Sequence, residues 1–324
     1  MQPNKRNKII GFCIKTTIVI LAILFIYKKV FDKEHLEDYI ASYRLIITNG
    51  QSLPILLVVV ILMLFNWSLE SWKWKMMIQK IETISFLKAI EAVCTGITVS
   101  FFTPNRVCEF AGRVFYLTKA DRIKASLIAV IGSFGQTIVT IVFGGIASLI
   151  YCREILKLDT FLFYGIASIA TVVMALLILF YFNTPMLTIL SDRVSFLKRF
   201  HKYTEVFTYF STKELLKVFV LCVLRFLVFT TQYYLLFILA DVHLSYIEGF
   251  MMIAMVFFTV TVVPTIALTE IGVRSASATY FIGMISSNHF GILFASFTLW
   301  FINLVIPSVF GAIFVFNFRL FRTK

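Results

Sequence analysis

The chain has 324 residues, 60% of them apolar and only 15% charged, and its mean hydropathy is +0.91. Soluble domains carry roughly a quarter charged residues, so this chain lacks the polar surface to stay in water, and a soluble enzyme is excluded. The formal net charge of +13 would suit nucleic acid, but in a membrane protein basic residues collect first on the cytoplasmic face. No nucleic-acid partner is expected. The five cysteines (Cys13, Cys94, Cys108, Cys152, Cys222) and four histidines (His35, His201, His243, His289) are scattered without ligand spacing, so neither a metal nor a cofactor is expected.

A spanning helix needs about 20 mostly apolar residues. The first candidate, Ile9–Tyr27, follows Lys5, Arg6 and Lys8 and lacks a small-residue cleavage site, so it reads as a retained anchor. Leu53–Trp72 is the second, with Trp67, Trp72 and Trp74 as an aromatic belt at its end. Ile84–Thr118 is interrupted by Pro104 and carries Glu91, Arg106, Glu109 and Arg113. Ile123–Ile150 and Thr160–Phe182 are plain spans. The segment 193–213 places Phe196, Phe200, Tyr203, Phe207 and Phe210 at helical spacing among basic residues, the pattern of an amphipathic helix on the cytoplasmic interface. Leu215–Ala240 holds Arg225 inside it. Ser245–Gly283 is interrupted by Pro264 and carries Glu270 and Arg274, and His289–Phe316 closes the series.

Charge at membrane depth is expensive, and broken helices are tolerated there only where protein or water lines them. The two interrupted segments are therefore expected to be re-entrant hairpins. With the N-terminus in the cytoplasm, and sides alternating at full spans only, the outer segments hold just Lys28, Lys29, Lys33, Arg44, Arg153 and Lys157 of the 30 basic residues. That bias fits the positive-inside rule. The expected fold is an all-α polytopic membrane protein: six full spans and two re-entrant hairpins in one domain, 1–324. Both termini are expected in the cytoplasm, and the location in the cytoplasmic membrane.

The hairpins repeat each other. Ser85-Phe86-Leu87-Lys88-Ala89 aligns with Ser245-Tyr246-Ile247-Glu248-Gly249, and the same offset brings Pro104 onto Pro264. One residue later Glu109 and Arg113 fall on Glu270 and Arg274, so both copies read proline and then E-x-x-x-R. Unit one covers about 53–150 and unit two about 215–316. The single span between them inverts the second unit, an arrangement that puts a substrate site at the repeat interface.

The motif chemistry suits an anion. Proline fits the first turn of a helix, so Pro104 and Pro264 are expected to open the second half-helices. The free N–H groups there, beside Thr103, Asn105 and Arg106, would favour a phosphate or carboxylate. Glu and Arg four apart share a face, so Glu109 can orient Arg113 and Glu270 can orient Arg274, and a guanidinium donates to two phosphate oxygens at once. Two readings stay open: the pairs touch the ligand or its path, or they only lock the hairpins. Gln136 and Asn303 either line the same cavity or bond between helices, and Arg225 either pairs with Glu91 or faces the cavity.

At these residues the sequence resembles a known family. Thr103-Pro104-Asn105-Arg106-Val107-Cys108-Glu109-Phe110-Ala111-Gly112-Arg113 is similar to the T-P-G-R-x-G-E-x-x-R signature of the lysylphosphatidylglycerol synthase transmembrane region, also called the flippase-like or UPF0104 family. Thr269-Glu270-Ile271-Gly272-Val273-Arg274 resembles its later G-x-G-x-R-E block, and Trp72-Lys73-Trp74-Lys75 is similar too. Asn105 and Cys108 stand where glycine is usual, and Ser275 replaces the acidic residue after the second arginine. Full-length synthases of the family append an aminoacyl-transferase domain, which is not expected here, so the resemblance implies the membrane part alone.

The expected function is a flippase or transporter for a phosphate-bearing lipid, phospholipid or polyprenyl-linked, with anionic headgroups as ligands. The alternatives are an accessory subunit partnering a lipid- or glycan-modifying enzyme, and a headgroup transferase of the phosphatidylglycerol lysyltransferase kind.

Overall fold

The computed structural model describes residues 52–101, 103, 108–183, 203, 205–263 and 267–317. Every regular element among them is helical. In chain order they are α1 (Ser52–Ile78), α2 (Phe86–Ser100), α3 (Glu109–Val114), α4 (Arg122–Glu154), α5 (Thr160–Phe182), α6 (Thr212–Leu239), α7 (Tyr246–Val262), α8 (Ala267–Ile282), α9 (His289–Trp300) and α10 (Ile306–Asn317). Four stretches are long and apolar enough to cross a membrane: α1, α4, α5 and the rod from His289 to Val315. The protein is therefore a multi-pass membrane protein. Six spans are expected from the sequence. Of the other two, Ile9–Tyr27 lies outside the described residues, and Leu215–Ala240 corresponds to α6, a 28-residue helix that is not one of the four.

Each interrupted segment resolves into two short helices packed on one another, α2 with α3 and α7 with α8. At 1.5 Å per residue, the 15 residues of α2 reach about 22 Å, short of the ~30 Å hydrocarbon core. The repeat is visible in the caps. Ser85 accepts from the Lys88 N–H at 3.3 Å and Ser245 from the Glu248 N–H at 3.3 Å, so each first half-helix starts on the aligned serine. The described second half-helices run from Glu109 and from Ala267; Pro104 and Pro264, expected to open them, lie outside the described residues. At the first tip a turn intervenes, closed by the Thr103 hydroxyl, which donates to the Ser100 carbonyl at 3.0 Å and accepts from the Cys108 N–H at 3.3 Å. The helix can start only after that turn.

The two units interlock. The α1 and α6 helices pack together, while α2 lies along α10 and α7 along α4. Each hairpin thus rests on the long helix of the other unit. Glycine permits both contacts: a Cβ on Gly311 would stand 2.1 Å from the Cys94 carbonyl oxygen, and one on Gly144 would stand 2.3 Å from Phe258 Cβ. The α5 helix belongs to neither unit. Only its Tyr181 is fully buried, set against Gly135 of α4, with Leu177, Ile178 and Phe182 half-buried against the core.

Two details depart from the sequence reading. The rod α9–α10 contains a π turn, Phe301–Val305. Pro307 follows it, and a proline ring at that position clashes with the carbonyl of residue 303 in a regular helix; the wider turn relieves this. The described part of segment 193–213 is no free amphipathic helix. Its 3₁₀ turn Glu205–Thr208 buries Val206, and Phe210 is buried beyond it. Lys124 reaches the Tyr209 hydroxyl at 3.0 Å, and Lys80 reaches Glu214 at 2.6 Å.

Gly144→Leu should separate α7 from α4 and lower the melting temperature, since overpacking a tight seam costs about 1–3 kcal/mol. Gly165→Ala on α5, where a Cβ meets nothing within 4 Å, should leave it unchanged or raise it slightly. Thermal melts of both variants in one detergent check this.

Outside the membrane helices, the Glu82 carboxylate gathers the loop that opens α4. Burial by itself would raise its pKa, but the N–H groups of Lys119, Thr118 and Ala120 and the Thr118 hydroxyl outweigh it and hold the pKa down from 4.5 to about 2. A carboxyl depressed on folding contributes stability above its unfolded pKa and loses it as pH falls through the folded value. Glu82→Gln should therefore lower stability at pH 7 and flatten the loss of stability between about pH 4.5 and 2. Melts across that range test it.

Candidate functional site

The charges carried into the helical core meet at Glu70. Its carboxylate lies on α1, 2% exposed, and accepts from three cations on three helices. Lys73 of α1 stands at 2.7 Å, Arg113 of α3 at 2.8 Å and Arg225 of α6 at 2.5 Å. Arg113 also binds Glu109 of its own helix. Gly96 and Gly112 bring α2 and α3 close enough for this, since a Cβ on Gly112 would lie 2.6 Å from Gly96 Cα and one on Gly96 would lie 3.1 Å from Arg113 Cγ. Trp74 stacks under Arg113, 5.8 Å from the ring centroid, and Trp67 under Arg225 at 5.0 Å. Such contacts add about 0.5–2 kcal/mol each.

From Arg225 a polar chain runs across the interface of the two units. The Arg225 Nε donates to Asn66 Oδ1 at 3.0 Å, and Asn66 donates to Asn303 at 3.4 Å. Asn303 donates to Gln232 at 2.9 Å, and Gln232 to the Val59 carbonyl at 2.9 Å. Asn303 sits in the π turn.

The second E-x-x-x-R pair is separate. Arg274 Nη2 binds Glu270 at 2.5 Å, and the Arg274 guanidinium lies 5.4 Å from the Phe257 ring centroid and 6.0 Å from that of Phe229. Arg274 is 6% exposed, yet its Nε and Nη1 have no hydrogen-bond partner among the described residues. This pair fronts a cavity of about 460 Å³ between the units. Gln136, Thr137 and Thr140 line it from α4, Arg225, Phe226 and Phe229 from α6, and Phe257, Val260 and Thr261 from α7. A smaller cavity of about 40 Å³ lies on the other side, with Arg225, Glu270 and Arg274 again in its wall.

The structure thus brings Gln136, Arg225, Glu270 and Arg274 around one cavity and ties Glu109 and Arg113 to it through Glu70. Gln136 both lines the cavity and donates to the Cys222 carbonyl at 3.4 Å. Thr103 shapes the hairpin tip, and Asn105 and Arg106 lie outside the described residues. Arg225 faces the cavity and pairs with Glu70 rather than Glu91. Lys73, which the topology argument assigns to a cytoplasmic segment, is 3% exposed and joins the core, because Glu70 one turn earlier gives its charge a buried partner. Glu70 is a residue the sequence reading missed, although an acidic residue inside Leu53–Trp72 carries the signal that marks intramembrane charge as functional.

A family model for the lysylphosphatidylglycerol synthase TM region matches residues 12–311. The chain belongs to that family. This membership is consistent with a lipid-related role in a membrane. No curated protein matches the chain.

Removing one partner of a buried charge cluster costs about 3–5 kcal/mol, because the remaining charges lose their compensation. Glu70→Gln should accordingly lower the melting temperature by several degrees or more. Adding Lys73→Gln removes one of the stranded cations and should recover part of the loss. A double-mutant cycle by thermal melts tests the coupling.

Proposed function

We propose that this member of the family moves a phosphate-bearing lipid, phospholipid or polyprenyl-linked, across the cytoplasmic membrane. In this reading the two hairpins are re-entrant and oppositely facing, both termini are cytoplasmic, and the ligands are lipids with anionic headgroups. The observation that carries it is the cavity of about 460 Å³ between the units, fronted by Arg225 and by Arg274, two of whose N–H groups have no partner among the described residues. An unshielded phosphate in hydrocarbon costs many kcal/mol, and fixed guanidinium groups lower that barrier through planar, two-pronged hydrogen bonds. The headgroup passes the cavity while its acyl chains stay in the bilayer.

The residues divide the work. Arg274 meets the headgroup, with Glu270 holding its Nη2 and so fixing the plane of the fork. Arg225 supplies a second charge from α6, and its position is set by Glu70 and Asn66. Arg113, occupied by Glu70 and Glu109, holds the first hairpin and steadies Glu70. The aromatic rings of Phe226, Phe229 and Phe257 keep the wall apolar, which strengthens each charged hydrogen bond.

Proteoliposomes with headgroup-labelled phosphatidylglycerol and phosphatidylcholine provide the test. Wild type should exchange the anionic lipid faster. Arg274→Gln should slow that exchange at least about tenfold, equivalent to ~1.4 kcal/mol, in protein whose retained fold is verified by thermal melting, since stranding Glu270 also lowers stability. Equal exchange in wild type, Arg274→Gln and Arg225→Lys would sink the reading.

A further inference from the structure

The same guanidinium raises a question of charge balance that a passing headgroup does not answer. Among the described residues, the Glu70 cluster and the neighbouring Arg274–Glu270 pair together hold four ion-paired cations, Lys73, Arg113, Arg225 and Arg274, against three carboxylates, Glu70, Glu109 and Glu270. One positive charge is left over at a depth where uncompensated charge is costly. Arg274 and Trp67 carry three buried N–H groups without an acceptor among the described residues: Arg274 Nε, Arg274 Nη1 and Trp67 Nε1. Trp67 and Arg274, the two residues that carry them, both line the cavity of about 40 Å³, and Arg225 lines it too.

We propose that this small cavity is a halide site, in which one chloride-sized anion accepts from Arg274 and Trp67 and offsets the excess charge. Three features select a halide over other occupants. The volume admits one small species and excludes a phosphate group with its substituents. The orphan groups are all donors, so the complement is an acceptor with no protons of its own. The excess charge is a single unit, which a monovalent anion cancels. Glu270 also lines the cavity and opposes an anion, but Arg274 Nη2 already engages its Oε1, and Arg225 and Arg274 outnumber it. Asn303 is on the wall as well, with its amide N–H groups committed to Gln232 and Leu299. The halide site stands on this geometry alone, whether or not the larger cavity carries a lipid.

The test is chloride binding to full-length purified protein in detergent, exchanged into sodium gluconate at constant ionic strength. Chloride-35 line broadening and thermal melting are followed as chloride replaces gluconate. Saturable broadening, reversed by bromide, with a saturable rise in melting temperature, is expected for wild type. Trp67→Phe, which removes one donor and keeps the charge, should weaken the apparent affinity roughly 3- to 10-fold. Arg274→Gln should abolish it. Broadening that is absent, or that does not saturate, would overturn the site and leave the cavity to water. Saturable binding unchanged in Trp67→Phe and in Arg274→Gln would place the anion elsewhere and overturn it equally. Lipid exchange is not a readout of this experiment, so its outcome is independent of the transport measurement.

Discussion

A single carboxylate receiving three cations from three helices sets the geometry of this protein. The Glu70 carboxylate has two oxygens and four acceptor positions, enough for Lys73, Arg113 and Arg225 together. Each cation arrives on a different path: one from the same helix, one from the tip half of the first hairpin, and one from the leading helix of the second unit. Losing any of these helices from its place would strand charge in an apolar interior. Helix association in lipid has no hydrophobic effect to draw on. A buried ionic hub is weak evidence for stability by itself, but it specifies which helices meet and at what depth.

Around this hub the internal symmetry is kept in the backbone and broken in the side chains. Each hairpin leans on the long helix of the other unit, and glycines make both contacts close. The two E-x-x-x-R pairs are nonetheless unequal. Arg113 has two carboxylate partners, Glu70 and Glu109, whereas Arg274 has only Glu270 as a salt-bridge partner among the described residues and faces open volume. A duplicated motif has thus been divided into a closed copy and an open one. The difference traces to Glu70, since α6 supplies Arg225 and Thr230 in the matching region and no carboxylate.

Much of this was legible from residue patterns. The alignment of Ser85 with Ser245 was readable as a repeat, and the pairing of glutamate with arginine follows from a four-residue spacing on one helical face. The family was readable from the residues around the first proline. What was not legible depended on tertiary partners. Lys73 reads as an interfacial lysine until Glu70 and the carbonyl of Gly132 at 3.4 Å are seen around it. The starting point of α3 depends on how the first tip satisfies its own polar atoms, which a proline alone does not decide. The π turn follows from Pro307 only when the helix is known to run unbroken through it.

That turn has a mechanical consequence. The α9 half of the rod packs on α8 and the α10 half on α2, so one helix touches both hairpins, on either side of the π turn. Asn303, tied there to Asn66 and Gln232, fixes the rod at its middle. A rod held at its centre and loaded at both ends is a lever with a fulcrum. Tilting one hairpin toward the cavity swings the opposite end of the rod the other way, and the second hairpin is carried with it. The positions of the two hairpins are thus linked through this rod, and Asn303 stands where the link crosses between the units.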